Sequence, residues 1–206
     1  KPMVGHLILK AIDPSRSLLT QQDIHRATIT ALPEQIERGN LDAVYALYGL
    51  SLTRSEERLD FWIETLNQRV GSINLTDQEE LRIRDDETPW VGDRTELKDL
   101  WRRQLENQAI SLRLADRSEE ETYQALIRRY KSQKNRIEQT RPDDIFAGVI
   151  NAYASAYDPH TSYLPPADSE TFNINMSLSL QGIGAVLQSE DEFTKVVNLI
   201  PGGPAE

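Results

Sequence analysis

The sequence predicts a mainly α fold, in which a multi-helix N-terminal domain is followed by a partial β-rich unit. Up to about Asp158, apolar residues recur with the 3.6-residue period of amphipathic helices. Three prolines then lie between Pro159 and Pro166, after which the apolar period falls to two. A composition of 38% hydrophobic and 27% charged residues is typical of a globular protein.

The first predicted helix has a clear start and a clear stop. Thr20 followed by Asp23 is a capping-box-like pair, and helical spacing continues to Ile36. Pro33 should kink or split this helix, because a proline inside a helix removes a backbone donor and clashes with the preceding turn. The Gly39-Asn40 pair predicts its end.

Four more helices are expected before the change at Asp158. The second is an amphipathic run over residues 41–66, and the third begins at Asp93, which is a good N-cap residue. The fourth begins with the capping box formed by Ser118 and Glu121. The fifth follows Pro142 and stops before the Asp158-Pro159 pair. The tryptophans are expected to pack in the core or between these helices: Trp62, Trp90 and Trp101.

Two strands are predicted after the proline-rich stretch. Residues 185–188 read as the first strand, 189–192 as an acidic turn and 194–200 as the second strand. The alternating "MSLSL" before them also has strand periodicity, and a short helix-like stretch over 167–172 precedes it. Because two strands cannot bury a core alone, we expect this unit to continue beyond the sequence. Lys1 is not an initiator residue, which also favours a fragment or a processed form.

The glycine pair in "SLQGIGAVLQ" admits three interpretations. Gly182 and Gly184 could begin a phosphate loop, but a strand follows where that motif needs a helix. They could direct backbone N–H groups at a peptide carboxylate, with the peptide then adding to the strand edge. They could also be structural, since glycine in strands often marks only a bulge or a tight turn.

Composition weighs against several other classes of function. A net charge of −10 argues against nucleic-acid binding, and the basic residues of 102–141 are interleaved with acids, as on a solvated helix face. The sequence has no cysteine for thiolate or disulfide chemistry and no apolar stretch long enough to cross a bilayer. A triad through Asp158, His160 and Ser162 is too compressed in sequence to converge easily, so a structural turn is favoured. We expect no metal and no cofactor.

Three motifs in order, "DPHTSYLPP", "MSLSLQGIGAVLQ" and "VVNLIPGGPAE", closely resemble the tail-specific (C-terminal processing) serine proteases of Gram-negative bacteria. The helical segments "LDAVYALYGL", "TPWVGDRTELKDLW" and "LIRRYKSQKNRIEQ" are similar to the N-terminal helical domain of that family. The resemblance implies a periplasmic endopeptidase, sometimes associated with the inner membrane, with a PDZ domain and a Ser/Lys dyad. No serine of this sequence matches the nucleophile, so the fragment alone should be inactive.

The resemblance also implies domain boundaries and a peptide site. It gives a helical domain over 1–158, a linker over 159–176 and a truncated PDZ domain over 177–206. Expected partners are substrates with apolar C-terminal tails and an adaptor protein on the helical domain. The alternative to the protease function is a non-enzymatic helical adaptor with a peptide-binding β-unit. The tail would bind the PDZ loop and strand edge formed by Gly182, Ile183, Gly184, Ala185, Val186, Leu187 and Gln188.

Overall fold

The structure is a computed structural model that describes residues 2–27, 31–68, 81, 84, 88–177, 183–190 and 193–205. It confirms the mainly α fold, with two compact units, 1–163 and 164–206. The assignment of the chain to a helical domain, a linker and a PDZ domain stays a prediction. The helices are α1 Pro2–Ile12, α2 Gln21–Arg26, α3 Leu32–Glu37, α4 Asp42–Asn67, α5 Arg94–Arg113, α6 Glu119–Glu138, α7 Pro142–Ala154 and α8 Pro166–Ser177. The strands are β1 Ala185–Glu190 and β2 Phe193–Leu199.

The predicted helix starts are confirmed in atomic detail. The Thr20 hydroxyl accepts a hydrogen bond from the Asp23 amide at 3.2 Å, and the Asp23 carboxylate accepts one from the Thr20 amide at 3.0 Å. Ser118 and Glu121 form the same reciprocal pair at 3.2 and 2.9 Å. Asp93 accepts from two amides of the first turn of α5. Each cap satisfies donors that a helix N-terminus leaves without intrahelical partners.

Pro33 splits the first predicted helix, as expected. The chain forms α2 and α3 in place of one helix, and Pro33 lies in the first turn of α3, where its missing donor costs no helical hydrogen bond. Gly39 follows the end of α3 with a φ of +75°, a conformation that glycine adopts without steric cost. Thr28, which the pattern placed in this helix, lies outside the described residues.

One hydrophobic core lies between α4, α5 and α6. Trp62 and Trp101 are almost fully buried, as predicted, and the Trp62 indole donates to the Trp101 carbonyl at 2.8 Å. The rings of Trp62 and Tyr130 lie 4.8 Å apart. The Trp101 indole reaches outside the core and donates to the Ser17 carbonyl at 2.7 Å, which ties the segment before α2 to α5.

A second core is built around α1, a helix that the sequence pattern did not predict. Ile8 of α1 packs with Leu32 of α3, Val44 of α4 and Val149 of α7. The apolar residues of α1 recur with helical spacing at Val4, Ile8 and Ile12, all of which are buried. Packing against α7 helps to bury this face, and most helical stability in proteins comes from such packing. Trp90 packs against this core, which confirms its predicted role.

A buried carboxylate organises the loop between α1 and α2. Asp13 has no exposed surface, and its Oδ1 accepts a hydrogen bond from the Ser17 amide at 2.8 Å. Its Oδ2 accepts from the Leu18 and Leu19 amides, both at 3.0 Å, and from the Trp90 indole at 3.1 Å. Four donors therefore converge on one side chain, which links α1, the loop and the segment before α5.

In the second unit, two boundaries differ from the prediction. Helix α8 runs through Met176 and Ser177, which the alternating pattern placed in a strand, whereas Leu178 and Leu180 lie outside the described residues. Strand β1 continues through residues 189 and 190, which were predicted as a turn. They remain in the strand because they pair with residues 194 and 193 of β2, so the ladder extends almost to the tip.

Candidate functional site

Strand β1 is the element on which the predicted peptide site depends. It pairs with β2 in antiparallel register, with Ala185 opposite Leu199 and Gln188 opposite Lys195. The register shifts by one residue after Val186, which leaves Val197 of β2 as a bulge. The sheet has two strands in the described part of the chain, so there the second edge of β1 has no neighbouring strand. Such an edge can pair with an added peptide strand.

The turn before β1 requires glycine for two separate reasons. Gly184 has a φ of +74°, which side chains rarely tolerate. A Cβ built at this position would also lie 2.8 Å from the Cα of Gly203 and 3.0 Å from the Cδ of Pro204. The structural interpretation of the glycine pair therefore accounts for Gly184, while carboxylate binding at this loop stays a prediction.

The partner of Gly184 is a turn at the other end of the hairpin. The Gly203 amide donates to the Ile200 carbonyl at 2.9 Å, and the Ile200 amide donates to the Gly184 carbonyl at 2.7 Å. Gly202 has a φ of +77° and follows Pro201, as in a type II turn. The sequence predicted only that the strand ends here. It did not predict the contact with Gly184, which joins residues that are distant in sequence.

The structure describes six of the seven predicted site residues. Ile183 is 59% exposed, and Val186 and Leu187 are each nearly half exposed. Gly184 and Ala185 are half-buried, and Gln188 is exposed. Gly182 lies outside the described residues. The described six thus form a continuous segment whose apolar side chains are accessible to a ligand.

Comparison with known proteins shows the family to which the chain belongs. A family model described as the tail specific protease N-terminal domain matches residues 4–167. The chain belongs to the tail-specific protease family. It is 33% identical over 201 residues to a tail-specific protease of Haemophilus influenzae. That match covers 96% of this chain and 28% of the relative, so the chain spans little more than a quarter of the curated protein it matches.

In this member of the tail-specific protease family, the region of Asp158 forms a turn. The Asp158 carboxylate accepts hydrogen bonds from the His160 amide at 2.9 Å and from the Thr161 hydroxyl at 2.7 Å. These bonds hold the pKa of Asp158 below its usual value, the amide bond making the larger contribution. The carboxylate therefore bonds to the backbone of His160 and not to its imidazole, which supports the structural interpretation over a triad.

Several basic residues of the tail-specific protease chain form ion pairs within or between its helices. Arg102 contacts Asp99 and Glu106, both at 2.9 Å, and Arg103 also pairs with Asp99. The two guanidinium groups lower the pKa of Asp99 by hydrogen bonding, that of Arg103 first. Lys134 contacts Asp60 at 2.6 Å. These pairs agree with a solvated helix face.

The described residues offer neither a metal-binding cluster nor a membrane-spanning helix. The described part of the chain contains no group of three or more histidine, aspartate or glutamate side chains arranged to hold a metal ion. Within the same residues, none of the helices combines the length and the apolar character needed to cross a bilayer. Asp191 and Glu192, which were predicted to belong to an acidic turn, lie outside the described residues.

Proposed function

We propose that this chain is the N-terminal and substrate-recognition part of a periplasmic serine endopeptidase that degrades or processes proteins with apolar C-termini. Membership in the tail-specific protease family supports the protease assignment. The edge of β1 that has no partner strand among the described residues, directly after a glycine turn, is the observation that carries the recognition assignment. In this proposal the peptide bond is cleaved by a Ser/Lys dyad that lies outside this sequence.

The proposed binding mode uses backbone groups for affinity and side chains for selectivity. The terminal carboxylate of a tail accepts hydrogen bonds from N–H groups of residues 182–184, and the tail then pairs with β1. Ile183 and Leu187 offer apolar surface to the last side chains of the tail. An apolar side chain gains free energy from this contact, whereas a charged one loses hydration.

The first test compares peptides that differ only at the C-terminal group. The full-length protein is titrated with a fluorescent peptide that ends in apolar residues, as free acid and as amide, and anisotropy is recorded. We expect the free-acid peptide to bind at least about tenfold more tightly than the amide, because the amide lacks the charge that the N–H groups recognise. Equal binding of the two peptides would refute the carboxylate site.

Side-chain variants then test the location of the site. Ile183→Ser removes exposed apolar surface beside the turn, and we expect it to weaken binding of the free-acid peptide about fivefold to tenfold. Val197→Ser is the matched control, because Val197 is similarly exposed but is the bulged residue of β2. Gly184→Val is unsuitable as a first variant, since it would disturb the hairpin itself. A larger effect of Val197→Ser than of Ile183→Ser would place the tail elsewhere.

A further inference from the structure

The last segment of the first unit, residues 158–163, turns back toward α7. Asp158 begins the reversal, because its carboxylate accepts hydrogen bonds from the His160 amide and the Thr161 hydroxyl. Its backbone carbonyl also accepts a hydrogen bond from the Thr161 amide at 3.1 Å. Aspartate side chains stabilise turns in this way, by bonding to the backbone two residues further on. The first compact unit ends where this segment ends, at Tyr163.

One side chain of α7 holds the end of this segment. The Asn151 side-chain NH₂ group donates to the Tyr163 carbonyl at 3.0 Å, and the Asn151 side-chain oxygen accepts from the Tyr163 amide at 2.6 Å. Both backbone groups of one residue are therefore matched by the donor and the acceptor of a single amide. The Tyr163 ring also packs edge-on against the Phe146 ring of α7, with their centroids 5.5 Å apart. Three contacts thus fix Tyr163 on the helix.

The chain between Tyr163 and α8 is short and stiff. A single residue, Leu164, separates Tyr163 from Pro165, and α8 begins at the next residue, Pro166. Each proline ring fixes φ at about −65°, and a residue that precedes a proline is restricted to extended backbone. The Pro165 carbonyl already accepts a hydrogen bond from the Ser169 amide at 2.8 Å. Few backbone torsions are therefore free to vary after the residue that α7 holds.

We propose that Asn151 is a positioning residue for the cleavage of bound tails. By holding Tyr163, it fixes the point at which the second unit, which carries β1, begins. This inference rests on the proposed function, in which a tail bound at β1 has to reach a dyad elsewhere in the protein. If the start of the second unit were released, the bound tail would adopt the reactive geometry less often. Asn151 acts on delivery of the tail and not on its binding.

The test separates binding of a tail from its cleavage. The unchanged full-length protein and an Asn151→Ala variant are assayed with a folded reporter protein that ends in an apolar tail, and with the fluorescent free-acid peptide. We expect Asn151→Ala to lower kcat about fivefold or more, while KM and the peptide Kd change less than about twofold, because β1 is untouched. An unchanged kcat, or a loss of peptide binding equal to the loss of cleavage, would overturn the proposal. If the unchanged protein binds the peptide but does not cleave the reporter, the proposed protease function fails, and this inference fails with it.

Two further variants assign the effect to the hydrogen bonds of Tyr163. Asn151→Asp keeps the shape of the side chain but replaces its donor by a carboxylate oxygen that faces the Tyr163 carbonyl. We expect kcat to fall at least as much as in Asn151→Ala. Gln21→Ala is the matched control, because the Gln21 side-chain amide also joins two distant segments, donating to the Trp90 carbonyl at 2.8 Å. A normal kcat in Asn151→Asp, or an equal loss of kcat in Gln21→Ala, would contradict the assignment.

Discussion

Replacing Asp13 by alanine will lower the free energy of unfolding of the helical unit by about 3–5 kcal/mol. The substitution leaves three backbone amides, of Ser17, Leu18 and Leu19, without their acceptor, and also the indole of Trp90. Each buried donor without a partner costs about 1–3 kcal/mol, and relaxation of the loop recovers part of the sum. Urea denaturation of the 206-residue chain, followed by circular dichroism, measures the change.

Two variants show whether the lost stability comes from the missing carboxylate oxygens of Asp13. Asp13→Asn keeps one carbonyl oxygen and should cost roughly half as much, about 2 kcal/mol. Asp143→Ala removes an exposed carboxylate from the first turn of α7 and should cost less than about 1 kcal/mol. An Asp13→Ala variant within about 0.5 kcal/mol of the unchanged chain would mean that Asp13 does not organise the loop.

Gly184→Ala will destabilise the β-hairpin by about 2–5 kcal/mol, because it combines two unfavourable effects. The first is the left-handed backbone, which costs about 1–2 kcal/mol for a residue with a Cβ. The second is the overlap of the new Cβ with the backbone of Gly203, at 2.8 Å. Hydrogen exchange of β1 and β2 amides in the full-length protein is the measurement, since lost stability appears there as lost protection.

Neighbouring glycines separate the two effects. Gly202 has nearly the same φ, but a Cβ there would meet no atom within 4 Å, so Gly202→Ala should show the backbone cost alone. Gly203 does not have a positive φ, but its Cβ would lie 2.9 Å from the Ile200 carbonyl oxygen, so Gly203→Ala should show mainly the packing cost. Equal protection in Gly184→Ala and Gly202→Ala would contradict the close contact between Gly184 and Gly203.

Helix boundaries could be predicted wherever the signal is local. A capping box needs only two residues three apart, so the starts of α2 at Thr20 and of α6 at Ser118 follow from the sequence. The split at Pro33 follows from the same kind of signal, because a proline acts on its own turn. The mainly α class rests on periodicity over long stretches, which is a robust signal.

Features that depend on tertiary contacts could not be predicted. Helix α1 is stabilised by packing against α7, far along the chain. Asp13 appears as an ordinary loop residue in the sequence, although one of its partners, Trp90, lies 77 residues away. At Met176 a local pattern predicted the wrong element, because alternating apolar residues favoured a strand where the chain forms the end of α8.

The candidate peptide site also has features that the sequence predicts and features that it does not. The β1 segment could be predicted from the sequence, because residues 185–188 read as a strand. The reason for Gly184 does not, because its neighbour Gly203 is brought to it only when the hairpin forms. A cavity lined by Ser17, Arg58 and Gln104 was also not predicted, since residues from four separate segments of the chain meet there.

The most direct test of the proposed function measures cleavage by the full-length protein. Two folded reporter proteins are compared that differ only in the last residues of their tails, apolar in one and acidic in the other. We predict that the apolar-tailed reporter is degraded with a kcat/KM about tenfold or more higher, and that Ile183→Ser reduces this preference. Binding of the apolar tail without cleavage would favour the non-enzymatic adaptor, and equal degradation of both reporters would contradict recognition of the tail at β1.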